Sequence, residues 1–300
     1  MSLRGVALLA CILVAACGDD THGGVGGGAG SGGTAGTGGN EGGAGGDGAG
    51  GEGGFVGPTD LPFRFANMRS DGPPLNACVS TGPAMVFDGP LLDTPLAPGE
   101  VEPHFEVRVD GDSLLRWVDG STCAPLAEGA TDIPLVLNDA ERYTAVAFGD
   151  DSLQTLVYES DPVAELSPAR FYVRFFHGGL NLDPVDSKQV ACSTPVAAFE
   201  NVRFGTLGFS PNNMATFFSA AVSTGMDSFS TTVVVCENMN EVFRQDYVFV
   251  GGRSVSFFLR GDGDAVPHQV TVCEDDDVGA ARCGPERKTA FTVPRKSITS

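Results

Sequence analysis

Apolar and polar residues alternate with a period of two along much of the chain after residue 58, as they do in β-strands with one buried face. In the segment 104–109, Phe105, Val107 and Val109 would lie on one face of a strand, with the polar residues between them on the other. Asp110-Gly111 follows directly, and this dipeptide favours a two-residue hairpin turn. The pattern predicts a strand that ends in a hairpin turn at Asp110.

Other short segments are rich in β-branched and aromatic residues and are separated by proline and glycine, which is typical of strands and turns. They are the segments 171–176, 231–235, 254–259 and 269–273. The segment 213–223 is long enough for a helix, but its Thr, Phe and Val residues are as compatible with a strand. These patterns predict an all-β fold built from antiparallel sheets.

The part of the chain with these strand patterns is a tandem repeat. Arg64-Phe65 and the segment 142–149 resemble Arg174-Phe175 and the segment 253–261, with offsets of 110 and 111 residues. Repeated units that share a strand pattern indicate duplicated modules. We therefore predict two tandem antiparallel β-sandwich modules followed by a short basic tail. The predicted units are module 1 (58–164), module 2 (165–283) and the tail (284–300).

The first 16 residues have the features of a bacterial export signal. Arg4 precedes an apolar run of twelve residues, and a helix of that length rises only about 18 Å, too short to span a membrane core. The run ends in Val14-Ala15-Ala16-Cys17, which resembles the lipobox at which bacterial lipoproteins are cleaved and acylated. We predict a signal peptide at 1–16 and a lipid anchor on Cys17. The alternative is an ordinary secretory leader with an incidental cysteine.

A glycine-rich segment separates Cys17 from the modules. Glycine is the majority residue between residues 23 and 54, and the segment has too few apolar side chains to offset the entropy of ordering. We predict that residues 17–57 form a disordered tether with an end-to-end distance of about 30 Å. Because Gly18 rather than aspartate follows Cys17, the outer membrane is favoured over the inner membrane in a Gram-negative host.

The net charge argues against nucleic acid as a partner. The chain carries −20, of which the residues before 58 carry −4 and the tail carries +3, so residues 58–283 carry −19. An acidic body repels phosphate backbones, and no basic stripe interrupts it. We expect no nucleic-acid binding.

Six cysteines lie in the two modules, and an even number in an exported chain indicates disulfides. None belongs to a Cys-x-x-Cys pair, so neither a zinc site nor a thioredoxin-like site is predicted. Six cysteines allow fifteen pairings, but the repeat makes two cysteines of module 1 equivalent to two of module 2. The predicted disulfides are Cys78–Cys123, Cys192–Cys236 and Cys273–Cys283.

The order of motifs in each half resembles that of a known bacterial family. An Arg-aromatic strand, an Asp-Pro-rich turn, a Tyr-Thr-Ala-Val-Ala strand at 143–147, a Gly-Asp turn and the segment 153–158 follow one another as in the domain of unknown function 4397 family. The family's histidine before the Asp-Pro turn is matched by His177, ahead of Asp183-Pro184, whereas module 1 has Asn67 near that place. The resemblance implies an extracellular β-sandwich and supplies no catalytic residue.

The segment 111–114 spells the Gly-Asp-Ser-Leu signature of an esterase family in which the serine, here Ser113, is the nucleophile. A nucleophilic serine needs a histidine base and oxyanion donors. The Asp-x-x-His string of that family is missing near the C-terminus here, and its fold is α/β rather than all-β. We expect Ser113 to lie at the start of the returning strand, its hydroxyl facing water or a backbone group, with no histidine in hydrogen-bond reach.

Histidines and acidic turns are the other candidates for binding. His104, His177 and His268 lack metal-ligand spacing, and His104 falls on the polar face of its strand, where we expect a solvated side chain. Carboxylates at turns are hard oxygen donors for Ca²⁺, but solvated turn residues that keep an exported protein soluble are the preferred interpretation. The acidic turns are Asp110 with Asp112, Asp150-Asp151, Asp262 with Asp264, and 274–277.

The sequence predicts a lipid-anchored protein of the cell envelope rather than an enzyme. We expect a non-catalytic module that binds a protein or glycan, or contributes to envelope structure, without a cofactor or metal. The alternatives are a hydrolase with a site on the acidic turns or at Ser113, and an adhesin stabilised by Ca²⁺. A cleft with convergent ionisable groups would favour the enzyme, whereas an exposed apolar patch would favour binding.

Overall fold

The computed structural model describes most of the two modules. The described residues are 58–82, 86–124, 126–137, 142–160, 167–195, 197–211, 215–222, 226–275 and 282–285. The predicted signal peptide, Cys17, the tether, residues 286–300 of the tail and the module boundary at residue 164 therefore lie outside the described residues. No described residue is helical, so no helix in this part of the chain is long and apolar enough to cross a membrane.

Module 1 contains eight described strands in two four-stranded sheets. They are β1 (Thr59–Asn67), β2 (Asn76–Thr81), β3 (Val86–Asp88), β4 (Val101–Val109), β5 (Leu114–Val118), β6 (Ile133–Pro134), β7 (Tyr143–Phe148) and β8 (Gln154–Glu159). The first sheet has the order β4-β1-β7-β8 and the second β3-β2-β5-β6. Phe63 and Phe65, alternate residues of β1, are fully buried between the sheets. The Phe65 ring meets Trp117 of β5 edge-on at 5.9 Å between centroids, which joins the two sheets.

Module 2 repeats this arrangement with ten described strands. They are β9 (Arg170–His177), β10 (Val185–Gln189), β11 (Ala197–Val202), β12 (Thr206–Leu207), β13 (Phe218–Ala221), β14 (Ser228–Glu237), β15 (Asn240–Val250), β16 (Ser254–Arg260), β17 (Gln269–Asp275) and β18 (Arg282–Pro285). One sheet has the order β12-β9-β16-β17-β18, with β13 also paired to β9, and the other β11-β10-β14-β15. The described part of the segment 213–223 contains β13 and no helix, which decides between the two possibilities, and β18 extends two residues into the predicted tail.

Each module contains one parallel pair of strands, which the alternation pattern does not indicate. β1 pairs with β7 and β9 pairs with β16 in parallel, whereas the other pairs of described strands are antiparallel. Arg64 lies opposite Thr144 in the first pair and Arg174 opposite Ser256 in the second. The prediction of two tandem β-sandwiches is confirmed, with mixed rather than purely antiparallel pairing in one sheet of each module.

The two modules pack together through the sheets that contain these parallel pairs. Ala66, Val146 and Phe148 of module 1 form one hydrophobic cluster with Phe176 and Phe258 of module 2, and none is more than 3% exposed. The rings of Phe148 and Phe176 meet at 5.4 Å between centroids. These residues alternate along their strands with residues of the two module cores, so the central strands of the two sheets are buried on both faces over most of their length.

All three predicted disulfides are present. Cys78–Cys123 and Cys192–Cys236 join residues 45 and 44 apart at equivalent places in the two modules, and Cys273–Cys283 joins β17 to β18. In the chain-entropy model, each of the two long bridges contributes about 4 kcal/mol to stability. Disulfides of this kind indicate an oxidising compartment outside the cytoplasm.

The turn after Val109 differs from the predicted hairpin. β4 pairs with β1, whereas β5 pairs with β2 and β6, so the chain crosses from one sheet of module 1 to the other at Asp110. The Asp110 carboxylate accepts hydrogen bonds from the backbone N–H groups of Asp112 (3.1 Å) and Gly82 (2.5 Å). The Asp-Gly signal therefore marked a real turn, but the side chain of Asp110 stabilises it without pairing of the flanking strands.

Candidate functional site

A group of buried and half-buried charged and polar side chains lies where the two modules meet, and we call it the interface cluster. Its members are Arg64, His104, Thr144, Ser160, Ser256 and Asp275. Arg64 alternates with Phe63 and Phe65 along β1, so its side chain leaves the core of module 1 and reaches Asp275 at the end of β17. Arg64 is 1% exposed and Asp275 is 4% exposed. The site is therefore built by the alternation of β1 and by the contact between the modules.

Arg64 and Asp275 form the central ion pair of the interface cluster. Nη2 of Arg64 donates to Oδ1 of Asp275, and Nη1 of Arg64 lies 3.5 Å from Oγ of Ser256. Burial alone would raise the pKa of the Asp275 carboxyl, but Arg64 and His104 together lower it well below its usual range. Removing one partner of such a buried pair leaves an uncompensated charge, which is strongly destabilising.

His104 is part of this cluster, so the prediction that its side chain is solvated is wrong. The side chain is 3% exposed, because β4 lies against β18 of module 2. Nη2 of Arg64 lies 3.2 Å from Nδ1 of His104, and Nε2 of His104 lies 3.2 Å from Oγ of Ser160. Nδ1 therefore lies between a guanidinium, which can only donate, and the carboxylate of Asp275, which can only accept, and the tautomer of the ring decides which of the two it bonds. Burial lowers the pKa of His104 to about 4, although Asp275 opposes the decrease.

Ser160, His104 and Asp275 follow the order of a serine-protease triad but not its chemistry. In a triad, Nε2 of the histidine accepts the serine proton and Nδ1–H donates to the carboxylate. Here Nδ1 lies 3.2 Å from Nη2 of Arg64 and 3.6 Å from Oδ1 of Asp275, and Nε2 lies 3.2 Å from the Ser160 hydroxyl. If Nδ1 accepts from Arg64, Nε2 carries the ring hydrogen and cannot take the proton of Ser160, whose hydroxyl is also 2.7 Å from that of Thr144.

Arg174 of module 2, the residue equivalent to Arg64, also extends across the interface between the modules. The guanidinium carbon of Arg174 on β9 lies 5.6 Å from the centre of the Tyr158 ring on β8, and Nη1 of Arg174 donates to the hydroxyl of Thr216 at 3.2 Å. Each of the two equivalent arginines therefore reaches a strand of the other module. One contact is an ion pair, and the other is a cation–π interaction of about 0.5–2 kcal/mol.

Ser113 lies just before β5 as predicted, but its hydroxyl does not face water. The residue is 1% exposed. Its Oγ accepts a hydrogen bond from the backbone N–H of Asp110 at 2.8 Å and donates to Oδ1 of the same residue at 3.1 Å. The expected backbone partner is present, and both bonds hold the turn between the sheets of module 1.

One carboxylate in each of the turns at Asp110, Asp150 and Asp262 is engaged within the protein. Asp150 accepts hydrogen bonds from the backbone N–H of Ser70 at 3.0 Å and from its hydroxyl, and Oδ1 of Asp262 accepts from the N–H of Val266 at 2.8 Å. Among the described residues, no group of three or more His, Cys, Asp or Glu side chains is placed to hold a metal ion. These carboxylates act as turn caps, while 276–277 lie outside the described residues.

His177 occupies the place in module 2 that Asn67 has in module 1. Both side chains are fully buried. Nδ1 of His177 accepts from the backbone N–H of Gly179 at 3.2 Å, as Oδ1 of Asn67 does from that of Arg69 at 3.3 Å. Burial lowers the pKa of His177 to about 4, against an opposing hydrogen bond with the backbone of Asp183. The shared bond explains why the two residue types are interchangeable in the repeat.

Module 2 also has a small apolar opening between its two sheets, with a cavity volume of about 20 Å³. Its described lining consists of Phe171, Val173, Ser187, Lys188, Gln189, Ala198, Phe218, Val233, Phe249 and Phe257. Lys188 is the only ionisable residue of that lining, and its Nζ is 3.4 Å from the carboxylate of Asp186. The opening therefore brings no pair of ionisable groups together.

Sequence patterns did not identify the interface cluster, although one signal was available. Arg64 stands between Phe63 and Phe65 in an apolar run, and a charged residue inside such a run must find a buried partner. The partner itself, Asp275, is 211 residues away. Cys17, the predicted lipid-attachment residue, lies outside the described residues.

Comparisons with known proteins add little to this description. No family model matches the chain, and none of the curated proteins matches it either. Among solved structures, a fimbrial assembly protein from Parabacteroides distasonis is 11% identical over 76% of this chain and all of that chain, with a TM-score of 0.20. A similarity with so low a TM-score supports no inference about fold or function.

Proposed function

We propose that this chain is a lipid-anchored protein of the cell envelope whose two modules form a non-catalytic body. Its role would be to bind a protein or glycan, or to contribute to envelope structure. The observation that supports the non-catalytic role is the contact of Nη2 of Arg64 with Nδ1 of His104 at 3.2 Å, which would place the ring hydrogen on Nε2, toward Ser160. The buried ionisable groups that could otherwise serve catalysis join the modules instead.

The lipid anchor is assigned to Cys17 on the basis of the sequence Val14-Ala15-Ala16-Cys17 and the change of composition after it. Cells that express the chain with a labelled fatty acid test this assignment. Cys17→Ser should abolish labelling and leave unprocessed or soluble protein, whereas the matched control Cys11→Ser should remain labelled. Labelling that persists in Cys17→Ser would refute the assignment.

The outer membrane is the proposed destination in a Gram-negative host, because Gly18 follows the acylated cysteine. Separation of the two membranes by density should place the mature chain in the outer-membrane fraction. Replacing Gly18 with aspartate provides a matched variant that should move toward the inner membrane. Recovery of the unaltered chain in the inner membrane alone would contradict the proposal.

A hydrolase is the second candidate, favoured by the Ser160–His104–Asp275 order. The purified chain should neither cleave simple esters nor react with a fluorophosphonate probe, because His104 does not present an acceptor to Ser160. Ser160→Ala and Ser113→Ala are matched variants for this assay. A reaction that is lost in Ser160→Ala and retained in Ser113→Ala would establish the hydrolase instead.

The charge of the modules limits the class of partner. A body that carries −19 between residues 58 and 283 repels anionic polymers, so we propose a neutral glycan or a basic protein surface. Binding to a neutral polysaccharide should be insensitive to salt, whereas binding to a basic protein should weaken as salt screens the attraction. Tight binding to a purified anionic polysaccharide at low salt would contradict this part of the proposal.

A further inference from the structure

The strand β15 forms one edge of the module 2 sheet that does not pack against module 1. Its 11 residues make it the longest described strand, and among the described strands only β14 pairs with it. Along the other side of β15, the backbone N–H and C=O groups therefore have no partner strand in the described part of the chain. A long edge of this kind is a template for pairing with a further strand.

The equivalent edge of module 1 is built differently. β6 holds the place in the order β3-β2-β5-β6 that β15 holds in module 2, but it consists of only Ile133 and Pro134. A short edge strand and a proline are two of the features by which proteins prevent edge pairing. β15 contains neither proline nor glycine. The two copies of the module therefore differ in whether this edge can accept another strand.

The centre of β15 is complementary to its own reversed sequence. Phe243-Arg244-Gln245-Asp246-Tyr247 has an aromatic residue at each end and opposite charges on the two sides of Gln245. If two such strands pair antiparallel about a two-fold axis at Gln245, Arg244 of each copy lies opposite Asp246 of the other, and Phe243 lies opposite Tyr247. Pairs of opposite charges and pairs of aromatic rings are cross-strand contacts that stabilise a sheet.

The side chains of this stretch are oriented as the pairing requires. Arg244 and Asp246 are exposed, whereas Tyr247 is buried in the core of module 2 and Phe243 is half-buried against that core. A two-fold axis perpendicular to the sheet leaves the two outer faces on the same side. The charged pairs then form on the outer face and the aromatic pairs on the core face. The register shift of β15 against β14 lies before this stretch, between the partners of Val235 and Cys236.

Both charged side chains are held in place and retain capacity for a further partner. Three of the five N–H groups of Arg244 donate, two to the carboxylate of Glu241 and one to the carbonyl of Val190. Oδ1 of Asp246 accepts from the hydroxyl of Thr232 at 2.6 Å, and a carboxylate can accept several hydrogen bonds at once. The contacts within one copy are therefore compatible with ion pairs between two copies.

We infer that β15 is the surface at which a second copy of this chain pairs, antiparallel about Gln245. The two four-stranded sheets then join into one sheet of eight strands. Charged residues can also shield an edge, but shielding does not require opposite charges placed symmetrically about one residue. Each body carries −19 between residues 58 and 283, and at 0.15 M salt a screening length of about 8 Å limits the repulsion between them. The inference holds with or without a lipid on Cys17.

Cysteine cross-linking of the full chain tests the register of the pairing. The residue on the two-fold axis lies opposite itself, so Gln245→Cys should give a disulfide-linked dimer under mild oxidation. Directly opposed residues of antiparallel strands have Cα atoms about 4.5–5.5 Å apart, within the range that a disulfide spans. The matched control is Glu200→Cys, because Glu200 is exposed on β11 at the other edge of the same sheet. No dimer in Gln245→Cys, or equal dimer yields in the two variants, would overturn the inference.

An exchange of charges tests the complementarity without a new cysteine. Size-exclusion chromatography with light scattering at 0.15 M salt should show a dimer of the full chain that dissociates on dilution. Arg244→Asp places like charges opposite each other and should raise the dissociation constant by about tenfold, whereas Arg244→Asp/Asp246→Arg should restore the dimer. Circular dichroism of each variant separates a loss of pairing from a loss of fold. A monomer at every concentration, or a dimer unaffected by Arg244→Asp, would refute pairing at β15.

Discussion

Acidification from pH 7 to pH 4.5 should destabilise the folded body through two buried histidines. His104 and His177 are neutral in the folded chain, because burial lowers the pKa of each from 6.5 to about 4. In the unfolded chain both rings take up a proton as the pH falls through 6.5. The stability that depends on their neutral forms is therefore fully present above pH 6.5 and is lost as the pH falls from 6.5 toward 4.

The size of the loss follows from the two pKa values. A histidine whose pKa decreases from 6.5 to 4 on folding lowers the free energy of unfolding by about 2.5 kcal/mol at pH 4.5 relative to pH 7. The two histidines together should lower it by about 5 kcal/mol, a large part of the 5–15 kcal/mol that is typical of a folded domain. The depressed pKa of Asp275 adds little in this interval, because its contribution is lost only below pH 3.8, the ordinary pKa of an aspartate.

Urea denaturation of the oxidised full chain between pH 4.5 and pH 7 measures this loss. His104→Gln and His177→Asn should each remove about half of the pH dependence, and the double variant should be nearly flat between pH 5 and pH 7. His177→Asn is the matched variant, since Asn67 makes the equivalent bond in module 1. The reasoning is refuted if the double variant keeps the full slope of the unaltered chain, because the responsible groups would then be others.

Three further predictions concern single contacts. Arg64→Met should lower the free energy of unfolding by about 3–5 kcal/mol, because it leaves Asp275 buried and unpaired. The double variant Arg64→Met/Asp275→Leu should lower it by less than Arg64→Met does. A decrease in the double variant that equals or exceeds that of Arg64→Met, measured by urea denaturation, would count against the ion pair. Ser113→Ala should lower the free energy of unfolding by about 1–3 kcal/mol in the same assay, because the hydroxyl makes two buried hydrogen bonds. An unchanged denaturation midpoint would contradict the role of Ser113 in the turn. A chelator should leave the Tm unchanged to within a degree, because Asp150 and Asp262 are engaged by neighbouring groups, and a marked decrease would favour the adhesin stabilised by Ca²⁺.

The fold could be predicted from sequence where its determinants are local or repeated. Alternation along the segment 104–109 identified β4, because a period of two reports which face of a strand is apolar. The repeat identified the disulfides, because two copies of one fold place Cys78 and Cys123 as they place Cys192 and Cys236. Neither argument required knowledge of how the strands are ordered in the sheets.

What could not be predicted depends on contacts between distant segments. The polar face of β4 was interpreted as solvated, because a single strand carries no sign of a second module against that face. The turn at Asp110 was interpreted as a hairpin, because Asp110-Gly111 specifies a local change of direction and not the sheet that the next strand joins. The serine that resembles a nucleophile by sequence, Ser113, proved to be a turn residue, while Ser160, which carries no motif, lies beside a histidine.

The contact between the modules nevertheless leaves a mark on the sequence. β8 is exposed at both ends and half-buried between them, whereas all six residues of β7 are buried, without the alternation of a strand that has one solvated face. A strand that is apolar on both faces needs a packing layer against each face. A single β-sandwich supplies such a layer for only one of the two faces. Since β7 and its counterpart β16 both show this loss of alternation, each copy requires the other, and the arginines between the modules are the polar exceptions that need a partner. Arg64 pairs with a carboxylate, whereas Arg174 lies against an aromatic ring. The two copies have therefore diverged at the point where they meet. That divergence places the ionisable part of the interface on the Asp275 side, where the buried ring of His104 makes the contact between the modules dependent on pH.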